Sequence, residues 1–375
     1  MLHAARLFDG SRFRDACRVV VEAGRILAVE EGSAPRPGDQ VLAGGILAPG
    51  LLDLQINGFA GIDFAIADGA GLASSLGALA ATGTTGCLPT IITAPVEELL
   101  ASLDRIGRAI GGPGTRVLGA HVEGPVIAER RKGAHRAEFM SDPAADAIAR
   151  FAAHPTMALM TLAPERAGAL DAIERLHQAG VVACIGHSDA TAEQVHRAAD
   201  RGARMVTHLF NAQRPIGHRE PGVPGAALVD ERLFLGLIAD LHHVAPDMVR
   251  LAFAAAAARV VLVTDALASA GMPPGVYELG GESIVVDEAG RPARRLDGTL
   301  SGSGLTMAAA VRTCAGLGIP VETVLRSATS IPASVLGRSD VGTLLPGGLA
   351  DLVWFDDSLR VRAVWMDGRP VIASA

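Results

Sequence analysis

Four apolar runs of this chain end on side chains able to bind a metal ion or move a proton. One closes on His121-Val-Glu123-Gly-Pro, another on Gly186-His187-Ser188, a third on Thr207-His208 and a fourth on Thr264-Asp265. Two imidazoles and a carboxylate are a common donor set for a catalytic zinc ion, which keeps a further position for water. Zinc lowers the pKa of that water towards ~7, so hydroxide forms at neutral pH. Asp265 would then hold and deprotonate the water, and later return the proton to a leaving group. A single histidine at such a place is more often a packed, hydrogen-bonded structural group. The recurrence of a candidate ligand or base at the same end of four runs is the signal, and spacing alone leaves both readings open.

For these groups to meet, the runs must be strands of one sheet. The candidates are Leu51–Ile56, Thr85–Ile92, Val117–Val122, Met157–Leu162, Val181–Ile185, Met205–His208, Leu233–Ala239 and Val260–Thr264. Their hydrophobicity is continuous rather than alternating, which suits parallel strands buried on both faces. Ala-rich helical segments lie between them, such as Ala192–Arg201 with Thr191 as N-cap and Gly202 as stop. Eight strand–helix units predict an α/β fold, a (β/α)8 TIM-like barrel with its chemistry at the C-terminal ends of the strands. A doubly wound open sheet is the rival, but no GxGxxG follows the first strand.

The chain ends read differently. Arg18–Val21 and Arg25–Val29 flank the turn Glu22-Ala23-Gly24, and Asp351–Phe355 with Val361–Met366 form a similar pair before Asp367-Gly368. Neither end is large enough to stand alone, so both are expected to build one small β-sandwich domain. The expected division is residues 1–48 and 341–375 for that domain and 49–340 for the barrel.

Composition narrows the function classes. The 375 residues carry 33 Lys+Arg against 40 Asp+Glu, a formal net charge of −7, which gives no broad basic footprint for nucleic acid. Hydrophobic residues are 49% and charged ones 19%, against the pattern of disorder. The stretch Gly69–Val96 has no charged residue and is long enough to span a bilayer. It is rich in Gly, Ser and Thr and contains Pro89 and Pro95, so it reads as a buried helix leading into a strand. Met1–Gly10 has no apolar signal segment, and Cys17, Cys87, Cys184 and Cys314 form no CxxC pair. A soluble cytoplasmic protein with no membrane or nucleic acid partner is the expectation.

Further motifs extend the pattern along nearly the whole chain. They begin with Ala48-Pro-Gly-Leu-Leu-Asp-Leu-Gln-Ile-Asn-Gly58 and end with Gly342-Thr-Leu-Leu-Pro-Gly-Gly-Leu-Ala-Asp351. Between them, beside the four strand ends, lie Lys132-Gly-Ala-His135, Thr161-Leu-Ala-Pro-Glu165, Gly186-His-Ser-Asp-Ala-Thr191, Thr207-His-Leu-Phe-Asn-Ala212, Arg219-Glu-Pro-Gly222 and Gly298-Thr-Leu-Ser-Gly302. In number and order these resemble the amidohydrolase superfamily and, within it, the N-acetylglucosamine-6-phosphate deacetylases.

The resemblance implies a hydrolase that releases acetate from N-acetyl-D-glucosamine 6-phosphate. It implies one divalent metal ion per subunit, zinc first, with iron, cobalt or manganese as alternatives. By position the metal ligands fall on Glu123, His187 and His208, and the catalytic carboxylate on Asp265. His135 matches a histidine near the reacting amide, and Asn211 and Ala212 lie in the segment that meets the sugar phosphate. Arg219 matches an arginine that binds phosphate across a homodimer interface, and His243 matches a substrate histidine, with His242 one residue away as the alternative.

Two departures stand out. Where many amidohydrolases carry His-x-His on the first strand for a second metal, this chain has Gln55-Ile56-Asn57, which favours a mononuclear site. Val126 replaces a bulky aromatic residue common in relatives. Rival functions are a deacetylase of N-acetylgalactosamine 6-phosphate or another N-acyl amine, and a non-catalytic scaffold.

Overall fold

The computed structural model describes residues 1–279, 282–288, 291–296, 298 and 300–373. Eight parallel strands form a barrel: β1 (Leu51–Ile56), β2 (Thr84–Ile92), β3 (Ala120–Glu123), β4 (Met157–Leu162), β5 (Val182–Ile185), β6 (Ala203–Val206), β7 (Phe234–Ile238) and β8 (Val260–Val263). Ladders run in order from β1 to β8. The barrel closes where Asp265 donates its backbone N–H to Gln55 O and Asn57 donates to Ala266 O, both at 2.8 Å. Almost every strand residue is buried, as expected of a sheet covered on both faces.

The surrounding helices follow their sequence signals. Thr191 caps the helix Ala192–Asp200 in a reciprocal box with Gln194, and Gly202 follows in a left-handed conformation. Asp68 caps Gly69–Ala80, so the uncharged stretch is a helix running into β2. No helix among the described residues is long and apolar enough to cross a membrane.

Two strand ends differ from expectation. The third run breaks at Gly119, whose φ of +137° and close approach to Ala158 admit no side chain. A short strand, Arg116–Val117, therefore pairs with β2 before β3 begins. The sixth strand stops at Val206, and His208 turns out of the sheet at a φ of +26°.

Both chain ends build one eight-stranded sheet in which Ile46–Pro49 pairs with Leu352–Phe355. It has its own core, including Leu2, Leu7, Val19, Ile26, Leu47, Leu352 and Trp365. Arg116 ties it to the barrel by gripping Asp351 with two N–H groups at 3.1 Å each. A four-stranded antiparallel sheet (Gly275–Leu279, Glu282–Val286, Ala293–Arg295, Leu300–Ser301) follows β8 and is absent from the sequence reading. Its strands are five residues or fewer, too short for a clear alternation. Thr299, in one of the quoted motifs, lies outside the described residues.

Candidate functional site

His187, His208 and Asp265 occupy equivalent places, each two residues beyond the last residue of β5, β6 or β8. All three have left-handed backbones, with φ of +46°, +26° and +49°. For non-glycine residues this costs about 1 kcal/mol or more each and persists only where the surroundings enforce it. The turn aims each side chain back over the barrel mouth. Glu123 ends β3 directly, and a Cβ on the following Gly124 would lie 2.1 Å from Thr93 Oγ1.

The side chains converge. His208 Nε2 lies 3.0 Å from both Glu123 Oε1 and His187 Nε2, and His187 Nε2 lies 3.3 Å from Glu123 Oε1. His187 Nδ1 faces the Arg131 carbonyl at 2.7 Å and must donate to it, so any lone pair the ring offers is on Nε2. A lone pair, a second imidazole and a carboxylate thus share one point, where a single proton satisfies only one contact. Around a cation with bonds of ~2.0–2.1 Å, tetrahedral donors stand about 3.3 Å apart. The donor set therefore fits a divalent metal ion.

Glu123, His135 and His187 also offer ligand atoms within 4.8 Å of one another. Two observations set His135 apart. Its Nδ1 accepts the Thr93 backbone N–H at 3.3 Å, which leaves the proton on Nε2, and that atom stands 3.8 Å from Glu123 Oε2. His135 thus presents a donor to the site, whereas His208 stands closer to the other two groups.

The electrostatics agree. Burial alone would raise the Glu123 pKa, yet His187 and His208 hold it well below the usual range. Burial lowers His208, but the carboxylates of Glu123 and Asp265 outweigh it and raise its pKa. Burial pushes His135 down to about 3, which keeps it neutral. Burial and the nearby Glu123 charge push Asp265 up to about 6.

Two amides fix the Asp265 carboxylate. Gln55 Nε2 and Asn57 Nδ2 both donate to Oδ1, at 3.2 and 2.8 Å, which leaves Oδ2 without a protein donor among the described residues. Gln55 Nε2 also reaches Glu123 Oε1 at 3.3 Å, while its Oε1 accepts from Thr207 Oγ1 at 2.7 Å. The side chain therefore turns N–H groups towards the carboxylates, an arrangement that disfavours a cation at the first strand. Below, the fully buried Asp53 accepts from Thr264 Oγ1 at 2.6 Å and anchors the residue before Asp265.

The remaining candidates sit around the mouth. His243 is half-buried and its Nδ1 lies 2.7 Å from the buried Asp240 carboxylate, whereas His242 is exposed and contacts Asp240 through its backbone. Asn211 and Ala212 lie beyond His208, with Asn211 N bonded to His208 O and Ala212 O accepting from Ser188 N. Arg219 is exposed, and the structure brings it to none of the other candidates; it makes no ion pair among the described residues. Val126 is fully buried. A cavity of about 620 Å³ near Arg201 and Arg232 lies at the N-terminal ends of β6 and β7 and involves none of these residues. The sequence reading missed Thr93, Arg131, Thr207 and Asp240, which orient the candidates. Thr207 directly precedes His208, but Thr93 neighbours no candidate in the sequence and carried no signal there.

Known proteins resemble this chain along nearly its whole length. Residues 46–371 match the Amidohydrolase family. The chain is 37% identical to an N-acetylgalactosamine-6-phosphate deacetylase of Escherichia coli O157:H7, covering 98% of each. It is 34% identical to the N-acetylglucosamine-6-phosphate deacetylase of Vibrio furnissii, covering 99% of this chain and 95% of that one. A mutant N-acetyl-D-glucosamine-6-phosphate deacetylase of Mycobacterium smegmatis, solved in complex with N-acetyl-D-glucosamine-6-phosphate, superposes with a TM-score of 0.93 at 36% identity over 99% of both chains. The chain belongs to the amidohydrolase family, among the deacetylases of amino sugar phosphates that these relatives represent.

Proposed function

We propose that the protein hydrolyses the acetamide of N-acetyl-D-glucosamine 6-phosphate to D-glucosamine 6-phosphate and acetate. The observation that carries this is the convergence of Glu123, His187 and His208 beside an amide-held Asp265, in a chain similar end to end to such deacetylases. Glu123, His187 and His208 would hold one divalent cation, zinc by their nitrogen-and-carboxylate chemistry, with iron, cobalt or manganese as alternatives. When bound, such a cation polarises a carbonyl and acidifies water.

The residues of the chain do the rest. Asp265, with Oδ1 held by two amides, takes the proton of the attacking water and passes it to the departing amine. His135, neutral with its proton on Nε2, donates to the acetamide oxygen as charge develops there. His243 offers Nε2 to the sugar while Asp240 holds Nδ1. Asn211, Ala212 and Arg219 bind the phosphate, and this remote anchorage positions the amide. An exposed Arg219 without an ion pair among the described residues suits a residue that completes a neighbouring subunit's site in a homodimer. We read residues 1–48 and 341–375 as one domain and 49–340 as the other. Four buried unpaired cysteines fit a reducing, cytoplasmic location.

The Escherichia coli relative favours a second reading, in which N-acetylgalactosamine 6-phosphate is the substrate. Comparing kcat/KM for the two phosphorylated sugars and their unphosphorylated forms separates these. A higher value for the galactosamine sugar would replace the first reading with the second, and no preference for phosphate would remove the Arg219 assignment.

A further inference from the structure

Three barrel loops meet at Asp189, two residues beyond His187. Asp189 Oδ1 accepts from Arg131 Nε and NH2 at 2.9 and 2.7 Å. Arg214, from the β6 loop, donates to Asp189 O at 2.7 Å and to Oδ2 at 3.1 Å. The more distant Arg130 stands 3.7 Å away. An exposed ion pair would contribute little, but the Asp189 side chain is only 16% exposed and takes one guanidinium through two N–H groups.

The segment held by Arg131 is stitched to His187 itself. Ala128 N donates to His187 O at 2.8 Å, and His187 Nδ1 donates to Arg131 O at 2.7 Å. A Cβ on Gly133 would stand 3.3 Å from His187 Cε1, so the chain runs against the edge of the imidazole. His135 follows two residues later, with its N–H bonded to Lys132 O.

We propose that Asp189 is a positioning residue for the metal-binding imidazole. By clamping Arg131 it fixes the carbonyl that receives the His187 Nδ1 proton, and so keeps Nε2 turned as a lone pair towards Glu123 and His208. This rests on the reading of Glu123, His187 and His208 as metal ligands. Partners one step beyond a ligand commonly change metal affinity by about 10–100-fold.

The test uses the full-length protein and zinc itself. Zinc affinity is measured by chelator competition for wild type, Asp189→Asn, Arg131→Gln, the double variant and His187→Ala, with Tm of the metal-free proteins alongside. Asp189→Asn and Arg131→Gln should each bind zinc about 10–100-fold more weakly. The double variant should be little worse than either alone, because both break one clamp. Metal-free Tm should stay close to wild type for Arg131→Gln, a change that loss of fold could not mimic. If Asp189→Asn fails to fold, Arg131→Gln decides. Wild-type affinity in a folded variant, or fully additive losses, would overturn the proposal while His187→Ala still loses zinc. Zinc retained by His187→Ala would overturn the metal reading itself, and this proposal with it.

Discussion

Gln55 Nε2 lies 3.2 Å from Asp265 Oδ1, across the seam where β1 meets β8. The amide cannot be reversed without turning its oxygen on Glu123 and Asp265, since Thr207 already donates to Oε1. Donors thus face the carboxylates at the position where many amidohydrolases place imidazole. This one side chain restrains the base and disfavours a second cation.

Replacing the first-strand amides should therefore change metal stoichiometry. Gln55→His combined with Asn57→His is expected to raise bound zinc from about one towards two per chain. Elemental analysis after zinc loading reads the result, and a stoichiometry unchanged from wild type would count against this account of Gln55.

Asp265→Asn keeps the shape of the side chain and removes the base. Turnover should fall by about 10²–10⁴-fold with metal content unchanged. Steady-state kinetics on metal-analysed protein would refute the assignment if kcat stayed at the wild-type level.

Asp265 also sets the acid limb of the pH profile. The working form is the ionised one, and burial with the Glu123 charge pushes the pKa up to about 6. Activity is full above that value and is lost as pH falls through it. A cation held beside Glu123 and His208 draws the limb lower, so kcat should decline at or below about pH 6. A limb centred above pH 7 would point to another group.

His135→Ala removes a buried donor aimed at the acetamide. The expected loss is about 10²–10³-fold in kcat with a smaller change in KM. A rise in KM alone would make His135 a binding group rather than a stabiliser of developing charge.

Arg219→Ala should act on KM. A charge-assisted hydrogen bond contributes ~1.5–3 kcal/mol, so KM for the phosphorylated sugar should rise about 10–100-fold with kcat nearly constant. Mixing Arg219→Ala with Asp265→Asn should return part of the sites to the wild-type KM if the arginine serves a neighbouring subunit, and a KM that stays raised would place it in its own.

The barrel was legible because its strands are buried on both faces, leaving continuous apolar runs at all eight positions. The strand-end residues were legible because chemistry confines them to a few types at one end of the barrel. Their left-handed turns at His187, His208 and Asp265 were not, since only long-range packing holds these two histidines and this aspartate in that conformation. Of the adjacent pair His242 and His243, only His243 brings its ring to the buried Asp240 carboxylate, a difference no sequence pattern showed. Arg131 and Asp189 stayed hidden because a charged residue in a loop reads as solvated until its partners are seen.

The central claim is that this site removes acetate from a phosphorylated amino sugar. The most direct measurement is acetate release from N-acetyl-D-glucosamine 6-phosphate by protein whose metal content is determined in the same sample. Turnover that tracks about one divalent ion per chain and disappears on chelation is the predicted result. Metal-loaded, folded protein that releases no acetate would contradict it.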